Sequence, residues 1–328
     1  MNILVTGGAG YIGSHMVRML VEEGHEVVVL DTMEFGHGNA IPKQATLVKG
    51  DIGDRGAVDA AFSHRPVGAV IHFAGYISVE ESVSEPKKYF HNNLVSPIIL
   101  LEAMEAHGVD KIIFSSTAAV YGEPTVVPIP EDHLKNPTNP YGLSKWCFEH
   151  YLGIVDRQKK IRSISLRYFN AAGAALDGNH GEAHAPEIHI IPLGLFAAMN
   201  NKEFYLYGDD YPTKDGSCVR DYIHIEDLCR AHILGLDALE RGHKTDVFNV
   251  GTGVGITNKE VIAEIKKQTG VDFPVAIKSR RPGDPAVLIA DPAKLKKELN
   301  WEPMCSDIST IVGSAWKWHG KHPEGYRE

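Results

Sequence analysis

The sequence predicts a doubly wound α/β protein: a parallel sheet with helices on both faces, followed by a smaller α/β lobe. Three observations predict it. Short, almost continuously apolar runs alternate with amphipathic stretches through the first half, the pattern of strands buried on both faces. A glycine-rich turn separates the first such run from the first amphipathic stretch. The 328 residues, at about 150 per domain, suffice for two domains or one core with a lobe.

The elements follow in order. Ile3-Leu4-Val5 leads into the glycine turn and a helical pattern through Ile12, Val17 and Leu20. Val27-Val28-Val29-Leu30 comes next and ends in Asp31. Leu47-Val48, Ala69-Val70-Ile71, Ile112-Ile113-Phe114 and Ile164-Ser165-Leu166 continue the series, with helix-like segments at 87–107 and 141–157. Right-handed crossovers between parallel strands make this doubly wound. Beyond about residue 170 the pattern loosens. Pro and Gly cluster in 171–194 and 208–216, and helical patterns occupy 190–200, 226–240 and 257–268. The predicted division is therefore 1–170 and 171–328, the second part mainly a substrate-binding lobe with some segments returning to the main sheet.

Composition narrows the function. Apolar residues make up 43% and charged residues 23%, which excludes disorder of the whole chain. With 42 acidic and 33 basic side chains the net charge is −9. Without a basic stripe this excludes nucleic acid and anionic membrane as expected partners. No apolar run reaches the ~18 residues of a membrane span. Met-Asn-Ile-Leu-Val-Thr has no basic leader region, so a cytoplasmic protein is expected. Cys147, Cys218, Cys229 and Cys305 lie far apart, which suggests reduced thiols, no disulfide framework and no zinc site. No metal is expected.

Gly7, Gly10 and Gly13 have the spacing G-x-x-G-x-x-G between a strand and a helix. The first permits a tight turn, the second a close approach of backbone to a pyrophosphate, and the third close helix packing. The helix N-terminus supplies free N–H groups and partial positive charge. Asp31, at the end of the second strand, is placed to accept hydrogen bonds from adenosine ribose hydroxyls and to repel a 2′-phosphate. Its alternative is a turn cap. Together these features predict a dinucleotide site, NAD in preference to NADP.

Tyr141 and Lys145 are four residues apart, on one face of a helix. A neighbouring ammonium favours the phenolate, so the pair is expected to act as a general acid/base with a depressed phenol pKa. Ser115-Ser116-Thr117 ends the strand before it, at the sheet edge where doubly wound folds bind ligands. For Ser115 or Ser116 the alternative is a helix or turn cap.

These residues carry a resemblance. Thr-Gly-Gly-Ala-Gly-Tyr-Ile-Gly-Ser-His, Phe-Ser-Ser-Thr, Tyr-Gly-Leu-Ser-Lys and Arg-Tyr-Phe-Asn (167–170) resemble the extended short-chain dehydrogenase/reductase family. The stretches 207–224 and 280–286, with His-Pro-Glu-Gly-Tyr at 322–326, are similar to those of UDP-glucose 4-epimerases. The resemblance runs the length of the chain. It implies a Rossmann domain for NAD, a lobe for a UDP-sugar, and NAD-dependent interconversion of UDP-galactose and UDP-glucose by oxidation at C4, rotation and re-reduction. It also implies a homodimer through helices near 87–107 and 141–157. The second of these carries Trp146, Phe148, Tyr151, Leu152 and Val155, more apolar surface than one core-facing stripe requires.

Residue by residue, the resemblance implies Tyr141 as base, Lys145 as its partner on the nicotinamide ribose, and Thr117 on the sugar hydroxyl. For the cofactor it implies Gly7, Gly10, Tyr11, Ile12 and Gly13 around the phosphates and Asp31 at the ribose. Asp51 and Ile52 flank the adenine, and Phe73, Ala74, Gly75, Asn92, Ser115 and Tyr168 complete the site. For the nucleotide sugar it implies Asn170, His189, Arg220, Arg281 and Asp284. Two arginine forks suit a diphosphate and Asp284 suits ribose hydroxyls. An ion pair of Arg220 with Asp221 or Asp227 is the alternative.

Two departures stand out. Ile77 replaces a Lys that some epimerases carry after Phe-Ala-Gly-x, and Leu288 replaces a Tyr common in strict hexose epimerases. The second leaves UDP-N-acetylglucosamine or UDP-pentose epimerisation as the alternative activity. A 4,6-dehydratase needs a further acid and base after the Thr, where Ala118-Ala119 stand. A silent NAD sensor would have lost the Tyr or the Lys.

Overall fold

The computed structural model describes residues 1–159, 161–281 and 283–327. Pro282, within the 280–286 motif, lies outside them. The six predicted runs are six strands: β1 (Asn2–Thr6), β2 (Glu26–Asp31), β3 (Thr46–Lys49), β4 (Ala69–His72), β5 (Lys111–Thr117) and β6 (Arg162–Tyr168). With the strand Asp246–Val250 they form a seven-stranded parallel sheet. Its order is β3-β2-β1-β4-β5-β6 followed by Asp246–Val250, so the winding reverses between β1 and β4. A parallel pair needs a crossover, and each crossover helix buries one stripe on the sheet. The helices Tyr11–Glu22 and Ile225–Glu240 cover one face; Arg55–Ser63, Ser96–Ala106 and Pro140–Lys159 cover the other. Val5, Ile71, Ile113 and Leu166 point to the first face, and Leu4, Val70, Ile112 and Phe114 to the second, all fully buried.

A third core lies outside the sheet. Helices Ile190–Asn200, Asn258–Thr269 and Ile308–Lys321 pack around Leu195, Ile265 and Phe273. Short strands connect this lobe to the crevice: Val219–Arg220 pairs with Ile256–Thr257 and Val287–Leu288, and Asn170–Ala172 with Tyr222–His224. The segment 87–107 is helical but not uniform. A π turn over His91–Val95 joins Pro86–Phe90 to Ser96–Ala106. Among the described residues no helix is long and apolar enough to cross a membrane.

One expectation changes. Phe148, Leu152 and Val155 are inside the second core, Tyr151 packs against it, and Trp146 packs on a small cluster around Val120. The helix Pro140–Lys159 therefore spends its apolar residues internally, because its sheet-facing side also meets the segment 86–95. On its outer side Ile154 is exposed.

Burial also sets a pH dependence. His72 lies beside the Thr6 hydroxyl, His224 beside that of Ser314, and His180 beside that of Ser14. Burial pushes His72 down to about 3, and His180, His224 and His232 down to about 4. The unfolded chain protonates these imidazoles below about pH 6.5 while the fold keeps them neutral. The unfolded state then binds more protons, so stability falls as pH drops from 6.5 towards 4. Tm measured at pH 6.5 and pH 5 should decrease; a flat profile would contradict this account.

Candidate active site

The glycine turn sits between β1 and the helix Tyr11–Glu22. Gly7 has a φ of 70°, and a Cβ there would lie 2.5 Å from the Ala74 backbone nitrogen. At Gly13 it would lie 2.1 Å from the Gly7 carbonyl oxygen. Packing alone demands these two. Gly10 differs: a Cβ would meet only the Gly7 oxygen, at 3.6 Å, and would otherwise fill open space. No side chain caps the helix at Gly10. Bare backbone at an uncapped helix N-terminus fits a pyrophosphate.

Around this cradle the strand ends bring the other predicted residues together. Asp31 accepts hydrogen bonds from the Ala9 amide (2.9 Å) and the Met33 amide (2.8 Å). Turn capping and ribose binding are therefore compatible, since a carboxylate has about four acceptor positions and two are used. Asp51, exposed after β3, accepts from the Gly53 amide at 2.7 Å, and Ile52 is buried. Phe73, Ala74 and Gly75 leave the end of β4. Asn92 Oδ1 accepts from the Tyr76 amide at 3.1 Å, and so does Asn93 Oδ1 at 3.0 Å, a residue absent from the predicted set. The π turn is the reason: its wider winding brings two successive asparagines onto one N–H. Tyr11 donates its phenol proton to the Gly173 carbonyl (2.6 Å), and Ile12 packs on the first core. Ile77 is exposed.

Tyr141 and Lys145 share a face of the helix Pro140–Lys159, opposite the end of β5. Lys145 Nζ donates to the Ser115 carbonyl at 3.1 Å and stands 3.2 Å from the point a Gly75 Cβ would occupy. The electrostatics differ from expectation. Burial raises the Tyr141 phenol above its ordinary value, opposed by a hydrogen bond with Thr117. Burial also lowers Lys145 to about 8. Desolvation dominates both groups, and the Lys145 ammonium does not depress the phenol as the spacing suggested. Thr117, not Ser115 or Ser116, is the cap, accepting from the Ala119 amide at 3.1 Å. Ser116 instead donates to Glu149, which pairs with Arg167 in a buried network. Tyr168 is buried between Ser115 and His232.

The lobe supplies the opposite wall. Leu288 lies in register with Arg220 and packs on the cluster of Ala118, Val120, Tyr121 and Ile129, next to Thr117. Arg220 pairs with Asp284. The two alternative partners are engaged elsewhere: Asp221 accepts from Thr252, Gly253 and Ala290, and Asp227 from Met304, Cys305 and Ser306. Asn170 donates to the Asp221 carbonyl at 3.3 Å. Arg281 is exposed, its guanidinium 4.1 Å from the Tyr207 ring centre, with no ion pair among the described residues. His189 is drawn elsewhere, with Nδ1 at 2.6 Å from Glu182 Oε1.

Residues 3–251 match the pattern of the NAD dependent epimerase/dehydratase family. The UDP-glucose 4-epimerase of Lactobacillus helveticus is 46% identical over the full length of both chains. That of Lacticaseibacillus casei is 47% identical over 99% of each. The crystal structure of UDP-glucose 4-epimerase from Bifidobacterium longum, in complex with NAD+ and UDP, superposes with a TM-score of 0.94. It is 38% identical, over 99% of this chain and 100% of that one.

Proposed function

This chain belongs to the NAD dependent epimerase/dehydratase family, and on that premise we propose that it interconverts UDP-galactose and UDP-glucose at C4. The observation that carries this reading is the composition of the crevice wall at β5. One half-buried phenol, one buried ammonium and one hydroxyl converge there, and only the methyl groups of Ala118 and Ala119 follow. Epimerisation needs one proton carrier. Elimination of water needs more.

Tyr141 takes the proton of the C4 hydroxyl as hydride leaves that carbon, and gives it back after the 4-keto sugar has turned over. Gly7 to Gly13, Asp31, Asp51, Ile52, Phe73 to Gly75, Asn92, Ser115, Tyr168 and Lys145 would hold oxidised NAD, which would supply positive charge and a reversible hydride acceptor. Positive charge is what the raised Tyr141 phenol requires to become a base near neutral pH. Lys145, lowered to about 8 by burial, binds the nicotinamide ribose. Thr117 orients the sugar hydroxyl. Arg220 and Arg281 hold the diphosphate, Asp284 the uridine ribose, and Asn170 and Leu288 the sugar's surroundings, while His189, implied there by the resemblance, is turned toward Glu182. Residues 1–170 are then mainly the cofactor domain and 171–328 the nucleotide-sugar lobe. The family resemblance supports a homodimer through 86–106 and 140–159, with Val95 and Ile154 exposed there, and the free cysteines fit the cytoplasm.

Incubation with UDP-galactose, UDP-N-acetylgalactosamine and UDP-arabinose separately, with products resolved chromatographically, tests the substrate. Conversion of UDP-galactose should be fastest. Failure to convert it while another sugar turns over would refute the assignment. For the cofactor, Asp31→Ala should weaken NAD binding by about 10- to 100-fold, the worth of one hydrogen bond to a charged group. It should also narrow the preference over NADP, as read by equilibrium titration. Equal affinity of the unaltered protein for both nucleotides would contradict the ribose role.

A further inference from the structure

The loop 181–189 holds two histidines and two glutamates whose ligand atoms face one another. Glu182, His184, Glu187 and His189 each offer one atom, and these four lie within 4.8 Å of each other. His184 Nδ1 is 2.9 Å from Glu182 Oε1 and 3.8 Å from Glu187 Oε2, and His189 Nδ1 is 2.6 Å from Glu182 Oε1. Yet Glu182 Oε1, His184 Nδ1, Glu187 Oε2 and His189 Nδ1 are all buried without a hydrogen bond of ordinary geometry. They are close without being aligned on one another, as atoms directed at a common centre would be. The two carboxylates are deeply placed, their side chains 5% and 6% exposed. Among the described residues their ion-pair partners are these two histidines alone.

We propose that Glu182, His184, Glu187 and His189 form a four-coordinate site for a divalent transition metal of the zinc type. Zinc bound to imidazole nitrogen and carboxylate oxygen at about 2.0–2.2 Å places its ligand atoms about 3.3–3.6 Å apart in a tetrahedron. Two of the separations here, 2.6 and 2.9 Å, are shorter than this and one, 3.8 Å, is longer, so the side chains would shift by a few tenths of an ångström around an ion. Two neutral imidazoles with two carboxylates carry a charge of −2, which a divalent cation balances. Oxygen and imidazole donors suit zinc and its first-row neighbours. The supporting groups are in place. Glu187 Oε1 accepts from the Ile188 amide (2.7 Å) and the His189 amide (2.8 Å), which orients Oε2 toward the cluster. Trp318 Nε1 donates to the Glu182 carbonyl at 3.0 Å, and His37 Nε2 lies 2.8 Å from the Ala183 carbonyl. Such outer contacts fix metal ligands in position.

Four protein ligands close a tetrahedral site, so the metal's role is structural. Its place shows what it stabilises. The His184 ring lies edge-on to Tyr11, 6.1 Å between centres, and Tyr11 belongs to the glycine turn. His189 immediately precedes the helix Ile190–Asn200 of the lobe. The metal would staple the loop between sheet and lobe against the cofactor cradle.

The test is elemental analysis of the purified, dialysed full chain, followed by chelator stripping and titration with Co²⁺. About one metal ion per chain is expected, with the visible absorption of four-coordinate cobalt saturating at one equivalent. His184→Ala and Glu187→Gln should each lower retained metal at least about tenfold. Chelator should lower the Tm of the unaltered protein but not of His184→Ala. If the unaltered protein neither retains metal nor develops the cobalt spectrum, the site is refuted and the cluster is an imidazolium–carboxylate ion-pair network. Full metal retention by both variants would equally overturn the ligand assignment. The cobalt titration needs no variant, so misfolding of either substitution leaves it decisive.

Discussion

Tyr141→Phe should lower turnover of UDP-galactose by about 10²- to 10⁴-fold, the usual worth of a positioned general acid/base. At tenfold per 1.36 kcal/mol this raises the barrier by about 3–5 kcal/mol. The substitution removes one oxygen from a half-buried ring that packs edge-on to Tyr89, so the fold and the walls of the crevice remain. NAD and UDP should bind within a few-fold of their unaltered affinity. The loss therefore belongs in kcat, because the missing proton transfer acts in the transition state and not in binding. Near-normal turnover would mean that another group carries the proton, and the reading of the β5 crevice would fail with it.

Gly13→Ala should cost more, by abolishing the cofactor site. A Cβ at this position would stand 2.1 Å from the Gly7 oxygen and 2.8 Å from the Gly8 Cα. Both are backbone atoms, so no side-chain rotation relieves the overlap, and the turn must open. Opening it moves Gly7, where an added Cβ would stand only 2.5 Å from the Ala74 amide nitrogen just beyond β4. The phosphate cradle and its seat on the sheet are then lost together. We expect loss of NAD binding by equilibrium titration and a clear fall in Tm. Gly10→Ala is the informative contrast. Its Cβ meets open space, so the fold should survive while the cofactor is displaced. Equal Tm losses in both variants would show that the glycines serve packing alone.

Much of this was legible before the structure. Near-continuous apolar runs marked β1 to β6, and Asp31, Phe73 to Gly75, Ser115 and Tyr168 stand at or near the carboxyl ends of their strands, while Asn92 lies in the π turn and Tyr141 and Lys145 on a helix. The strand Asp246–Val250 does not read as a continuous apolar run, because Asp246 opens it and Asn249 stands next to its end. That asparagine is buried and bonded to Tyr121 and the Ile129 carbonyl, contacts that spacing cannot reveal. The Tyr141 and Lys145 pairing was visible from four-residue spacing, but its electrostatics were not. Whether an ammonium depresses a phenol or desolvation raises it depends on surroundings that spacing does not show, and desolvation dominates both groups here. The apolar residues of 141–157 illustrate the same limit: composition counted them as surplus surface, while packing placed them inside. The clustering of Glu182, His184, Glu187 and His189 is not legible in the sequence. Four polar side chains within eight residues of a Pro-containing loop have no helical or strand period to betray them.

The central claim is that hydride leaves C4 and returns to the same carbon, with Tyr141 carrying the only exchangeable proton. UDP-galactose labelled with deuterium at C4 tests it directly, by mass and NMR analysis of the UDP-glucose formed in ordinary water without added reductant. Carbon-bound hydrogen held in the closed crevice does not exchange with solvent, so the product should keep its deuterium at C4. Loss of the label to water, or its appearance at another carbon, would contradict the account.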